Sequence, residues 1–244
     1  MADFPGQKFK LKLVEKVQET PEVITFKFLP DKKVDYKPGQ FMIINLGIID
    51  GKVTRRSYSI ASSPTENELK MTVKFESGGK GSEFFKNLEI GSSIDVDGPY
   101  GKFVFEKAEE MVFIAGGTGI APFRSMIKYA LDHEKTINGN YPFKIAVIHS
   151  VRTPDDVIYK KEMAELNKKH GDFEYVATIT RHKGGETWTG ELGRITADMI
   201  KRYVINPQKA LIYVCGPKDM VNTVKDILVS MNVDINRVRV ERWG

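Results

Sequence analysis

Cysteine is almost missing: Cys215 is the single thiol in 244 residues. One thiol excludes a disulfide within the chain and a cysteine-held iron–sulfur centre, which takes about four thiolates. Any one-electron carrier is therefore expected on a partner. Histidine is scarce too, and His133, His149, His170 and His182 show no metal-ligand spacing such as i, i+4 on one helix. They read as surface or packing residues, and no metal is expected. No apolar run approaches the roughly 18 residues of a membrane span, and Met1 to Lys10 has no apolar core of the kind a signal peptide needs. A cytoplasmic protein without membrane insertion is the expectation. Charge of one sign is also in short supply. The net charge is +5, with 16 basic and 15 acidic side chains in residues 1–106 and 21 and 17 in residues 107–244. That surplus would help a polyanionic ligand in the second half, but no basic stripe suits a nucleic-acid backbone. Internal repeats and low-complexity segments are absent.

What is present divides near residue 106. Up to Phe105 the pattern is short, alternating and rich in breakers: Phe9 to Lys16, Val23 to Leu29, Phe41 to Leu46, Arg56 to Ala61, Leu69 to Phe75 and Ser93 to Asp97 read as strands. Pro30-Asp31, Lys37-Pro38-Gly39 and Ser62-Ser63-Pro64 punctuate them, as in an all-β barrel or sandwich. One helix interrupts, with Ser82 as its N-cap before Glu83 to Leu88. After Phe105 strand and helix alternate. Strands are expected at Met111 to Ala115, Lys144 to Ser150, Phe173 to Thr180, Leu211 to Cys215 and Arg237 to Trp243. Helices are expected from Pro122 as first residue, over Asp155 to His170, Ile195 to Val204 and Lys218 to Met231. That rhythm indicates a parallel sheet covered by helices on both faces.

Two glycine-bearing turns stand at strand ends in the second half. Gly116-Gly117-Thr118-Gly119 lies between a buried strand and a helix, where a backbone can come close to a pyrophosphate and present free N–H groups to it. Cys215-Gly216-Pro217 ends another apolar strand before another helix, and ligands bind outside the carboxyl ends of parallel strands, so both turns would line one crevice. The fingerprint is not that of a simple NAD-binding Rossmann enzyme. Pro122 holds the place of a third glycine, and the next strand ends in His149-Ser150-Val151-Arg152 with no acidic residue at its tip to hold a ribose diol.

With Arg56-Ser57-Tyr58-Ser59 ahead of them, these stretches resemble, in order and over essentially the whole chain, the ferredoxin–NADP(H) reductase superfamily of FAD enzymes. The resemblance implies an antiparallel flavin-binding β-barrel over 1–105 and a parallel-sheet NAD(P)-binding α/β domain over 106–244, with the flavin ring at their junction and no fused iron–sulfur domain. It implies that Arg56 holds the FAD pyrophosphate with Ser57 beside it, that Tyr58 lies along the flavin ring, and that Ser59 reaches flavin N5. A guanidinium bonds phosphate bidentately, a tyrosine face is a flat apolar platform, and a small hydroxyl can bond N5 without blocking it. Lys74, Gly79, Gly81 and Ser82, within and before Gly78-Gly79-Lys80-Gly81-Ser82, resemble the second flavin-phosphate site.

On the nucleotide side the resemblance gives Gly117, Thr118, Gly119 and Pro122 to the pyrophosphate turn. Cys215, with Gly216 and Pro217, stands beside the nicotinamide as a small polarizable support and not as a nucleophile. The tail Val240-Glu241-Arg242-Trp243-Gly244 resembles the family ending in which an aromatic covers the flavin, so Trp243 would stack and Glu241 would assist proton movement or orient the ring. Ser59, Cys215, Glu241 and Trp243 are thus the candidate catalytic residues. Thr180 and Arg181, with Arg152 after the preceding strand, offer positive charge for a 2′-phosphate, which favours NADPH over NADH. The implied activity is hydride exchange between NAD(P)H and FAD, followed by single-electron transfer to a ferredoxin or flavodoxin. An NAD(P)H-dependent flavin reductase, an oxygenase reductase component and a nucleotide-sensing module without turnover are the alternatives.

Overall fold

The computed structural model describes residues 6–133, 143–184 and 187–243, so that Met1 to Pro5 and the closing Gly244 lie outside the described residues. By their packing these residues form two units. One runs to Phe105 and takes in Ala121–Tyr129, and the other comprises Glu106–Ile120 and the chain from Ala130 on.

The first unit holds β1 (Gln7–Thr20), β2 (Val23–Pro30), β3 (Phe41–Ile49), β4 (Lys52–Ser59), β5 (Leu69–Lys74), α1 (Lys80–Lys86) and β6 (Ser93–Tyr100). The six strands form one antiparallel sheet in the order β4-β3-β6-β1-β2-β5. Period-two alternation explains the faces: Phe9, Leu11 and Leu13 are buried while Lys8, Lys10 and Lys12 are exposed. The sheet curls until its edge strands meet. Ile60, just past β4, bridges Met71 of β5, and the Ala61 amide donates to the Lys70 carbonyl at 2.8 Å. Closure of this kind removes exposed sheet edges, as expected for a barrel. Phe85 of α1 fills the core, 4.7 Å from Phe26 and edge-on to Tyr58 at 4.9 Å between ring centres. Truncating a fully buried phenylalanine of this kind costs roughly 3–5 kcal/mol.

One local expectation is corrected here. Helix α1 starts at Lys80 with Gly79 as its N-cap, so Ser82 does not cap it. The Ser82 hydroxyl instead accepts from the Glu76 amide at 2.8 Å, folding the approach to the helix back on itself.

The second half supplies β7 (Glu110–Gly116), α2 (Ile120–His133), β8 (Lys144–Val151), α3 (Lys160–Lys169), β9 (Phe173–Ile179), β10 (Glu191–Leu192), α4 (Ala197–Tyr203), β11 (Leu211–Pro217), α5 (Lys218–Ser230) and β12 (Val238–Trp243). The strands form a parallel sheet in the order β10-β9-β8-β7-β11-β12. Its central strands are apolar throughout because both faces are covered: every residue of β7 from Met111 to Gly116 is buried. The chain leaves β7 toward β8 on one side and returns to β11 on the other, which makes the carboxyl ends of β7 and β11 the switch point of the sheet.

Pro122 is the third residue of α2, not its first, because a single 3-10 turn over Gly117–Gly119 leads into the helix two residues earlier. The first four amides of a helix have no intrahelical acceptor, so proline is tolerated there as well. The helix expected from Asp155 is also broken. Thr153 and Asp156 close a capping box around the turn Pro154–Asp156, then Val157, Ile158 and Tyr159 turn inward before α3 begins.

Candidate flavin and nucleotide sites

In the first unit, β4 alternates its side chains, placing Arg56 and Tyr58 on one face and Ser57 and Ser59 on the other. Arg56 and Tyr58 both come down on the start of α1. A Cβ added at Gly81 would stand 2.2 Å from the Tyr58 hydroxyl and 3.8 Å from Arg56 Cγ, so only glycine lets the tyrosine approach the helix this closely. Burial, partly offset by Arg56, pushes the Tyr58 hydroxyl up to about 12, which keeps it neutral. The Arg56 guanidinium is exposed and donates to the Arg55 carbonyl at 2.8 Å. An exposed guanidinium beside glycine backbone and an apolar ring fits a flavin pyrophosphate and ring edge. Lys74 ends β5 with its ammonium 3.5 Å from Glu22.

The segment that continues from Ser59 is locked by an ion pair that sequence reasoning missed. Arg124 of α2 bonds the Ala61 carbonyl at 2.8 Å and grips Glu66 bidentately at 2.8 and 3.1 Å, while Lys70 also pairs with Glu66. Burial opposes ionisation of Glu66, but the Arg124 and Lys70 bonds and the Ser63 amide win and hold it down at about 2. The available signal was Arg124-Ser125 on an otherwise apolar stretch of helix from Ile120 to Ile127.

In the second unit the two turns come together. A Cβ at Gly119 would lie 2.2 Å from the Cys215 carbonyl and 2.9 Å from the Trp243 ring, so the turn after β7 rides directly on the end of β11. A Cβ at Gly117 would meet nothing within 4 Å, which leaves room there for a ligand against the backbone. Gly216 and Pro217 lie level with Arg242 and Trp243 of β12, and Cys215 lies level with Glu241. Burial and the neighbouring Glu241 push the Cys215 thiol well above its ordinary range, which keeps it protonated and a poor nucleophile. Burial also lifts Glu241 to about 7, so this carboxyl can hold a proton near neutrality. Trp243 is exposed, at 41%.

Thr180 and Arg181 follow β9 and run beside the end of β8. The Thr180 amide donates to the Val151 carbonyl at 2.9 Å and the Arg181 amide to the Arg152 carbonyl at 2.8 Å. Both arginine side chains are exposed, and neither forms an ion pair with another of the described residues. His149, read from sequence as a surface or packing residue, is fully buried on β8 and bonds the Gly117 carbonyl at 2.9 Å.

Two family models match the chain one after the other. Residues 10–105 match the oxidoreductase FAD-binding domain and residues 113–226 the oxidoreductase NAD-binding domain. The chain is 32% identical over 240 residues to the glycine betaine monooxygenase reductase subunit of Pseudomonas aeruginosa, an alignment covering 96% of the chain but only 64% of that relative's length. It is 31% identical to NADH-cytochrome b5 reductase 1 of Mortierella alpina, over 94% of the chain and 77% of the relative. A solved ferredoxin-NADP+ reductase from Plasmodium falciparum with 2'P-AMP superposes with a TM-score of 0.79 at 25% identity, over 97% of this chain and 96% of that one. The barrel and the parallel sheet carry the two matched domains, the FAD-binding and NAD-binding domains of the oxidoreductase class. The chain belongs to the ferredoxin–NADP(H) reductase superfamily.

Proposed function

We propose that the protein exchanges a hydride with NADPH and passes single electrons to a carrier outside these residues, a ferredoxin or a flavodoxin. The observation that supports this most is the presence in one chain of two separate cradles for phosphate, the start of α1 beneath Arg56 and Tyr58 and the Gly117–Gly119 turn against Cys215. FAD, when bound, supplies a centre that takes electrons in pairs and releases them singly. Residues 1–105 take the FAD and residues 106–244 the nicotinamide nucleotide. Arg56 binds the flavin pyrophosphate, with Ser57, Lys74, Gly79, Gly81 and Ser82 around it, Tyr58 flanks the ring, and the Ser59 hydroxyl meets its N5 edge. On the other side Gly117, Thr118, Gly119 and Pro122 form the pyrophosphate turn, with Gly216 and Pro217 opposite. The protonated Cys215 thiol supports the nicotinamide without attacking it. Glu241 holds a proton near neutrality beside that thiol, and Trp243 is the aromatic that would stack on a cofactor ring.

Adjacent arginines at 152 and 181, with Thr180, favour the extra phosphate of NADPH, since a guanidinium pair can bond it from two directions. The single cysteine cannot hold a cluster, so the electrons leave for a carrier elsewhere. No helix among the described residues is long and apolar enough to cross a membrane; a cytoplasmic setting belongs to the same proposal. A second reading, a reductase component serving an oxygenase, is favoured by the 32% identity to the glycine betaine monooxygenase reductase subunit. Anaerobic titration of the FAD-loaded protein with NADPH, followed by a ferredoxin, a flavodoxin or free flavin as acceptor, tests both. Bleaching by NADPH with reoxidation by ferredoxin or flavodoxin is the expected outcome. Bleaching with transfer to none of the three would leave the oxygenase reading, and no bleaching would overturn the proposal.

A further inference from the structure

His149 sits on β8 among apolar neighbours and is fully buried, a costly place for an imidazole unless both ring nitrogens are bonded. Both are. Nε2 is 2.9 Å from the Gly117 carbonyl and Nδ1 is 3.1 Å from the Tyr175 hydroxyl on β9. Burial holds the ring's ionisation down at about 4, so the imidazole is neutral. A carbonyl oxygen can only accept, so Nε2 carries the proton, Nδ1 offers its lone pair, and the Tyr175 hydroxyl donates to it. Tyr175 thereby selects the one tautomer that can hold Gly117.

The Gly117 carbonyl also accepts from the Ile120 amide, so the oxygen is held from two directions. A trans peptide is planar with its C=O and N–H opposed, so fixing the Gly117 carbonyl fixes the direction of the Thr118 N–H, which points the other way. At the first turn of a helix such amides have no partner within the helix and are the groups that bond an anion. We infer that His149, oriented by Tyr175, is a positioning residue for dinucleotide binding: it locks the peptide whose far side presents the Thr118 amide to a pyrophosphate. This inference rests on the nucleotide reading of the Gly117–Gly119 turn and adds residues outside that turn.

The test uses the FAD-loaded full chain and two probes, ADP-ribose, which carries a pyrophosphate, and 2′-AMP, which does not. In His149→Leu the affinity for ADP-ribose, measured by calorimetry, should fall about tenfold while that for 2′-AMP changes less than about twofold. His149→Gln, whose side-chain amide can still donate to the carbonyl, should recover most of the loss. Should the leucine variant fail to fold, Tyr175→Phe frees the imidazole to take either tautomer and should give the same selective loss at smaller amplitude. Equal losses for both probes, or an ADP-ribose affinity indifferent to these changes, would overturn the positioning role while leaving the nucleotide site in place. If the unaltered protein binds neither probe, the nucleotide reading itself fails and takes this inference with it.

Discussion

Arg181 and Glu241 carry the two sharpest single-side-chain consequences. Arg181 is exposed and bonded through its backbone to Arg152, so removing its side chain subtracts charge without disturbing the strand end. Arg181→Ala should weaken NADPH by about tenfold or more and NADH hardly at all, as one charge-assisted phosphate bond is lost. Equal weakening of both in steady-state KM or direct binding would contradict the NADPH preference. Glu241 titrates at about 7 in the folded chain against an ordinary 4.5, because burial penalises its charge. The folded state therefore keeps a proton that the unfolded chain gives up. The stabilisation is complete below about 4.5 and is lost as pH rises through about 7. Urea melts of the unaltered chain and Glu241→Gln between pH about 5 and about 8 should show the unaltered chain losing stability relative to the variant over that window. Parallel curves would mean that Glu241 is not buried as a titrating acid. These side chains were named from sequence by their positions in motifs, but the raised pKa of Glu241 was not legible there, because it arises from the packing around β12.

Two local assemblies make predictions of their own. The turn after β7 approaches β11 so closely that Gly119→Ala places a methyl against the Cys215 carbonyl, with no flexible side chain to yield. Dinucleotide affinity should drop at least about tenfold while FAD retention stays intact, as the loss is confined to the turn. Loss of both cofactors together would argue against a local effect. The Arg124–Glu66 pair behaves differently. Arg124→Leu leaves a partly buried carboxylate with only Lys70 and the Ser63 amide, and breaking a pair of this kind costs up to about 3–5 kcal/mol. The double change Arg124→Leu with Glu66→Leu should recover most of that in denaturant melts, and additive losses would show that the pair is not coupled. Most elements were readable from period: alternation gave β1 to β6, and continuous apolar runs gave β7, β8, β9 and β11. What escaped was set by contacts between distant residues. The capping box that splits α3 from its leading turn, the Glu76–Ser82 bond that takes Ser82 from the cap position, and the two-residue strand β10 have no periodic signature.

Taken together, the two units were legible in outline because a change of hydrophobic period near residue 106 marks the passage from an antiparallel to a parallel sheet. Membership in the superfamily was legible in three short stretches, since each sits at an element end where backbone can face a phosphate. The residues that support those stretches from behind, His149 and Arg124, were not, because a buried polar side chain is distinguished from a surface one only by its partners. All the proposed chemistry depends on the first unit holding a flavin. The direct test is to incubate the purified chain with excess FAD, remove the unbound fraction by gel filtration, and record the visible spectrum. The account predicts a yellow protein that retains about one FAD per chain and loses it when Arg56 is replaced by alanine. A folded chain that emerges colourless would contradict it.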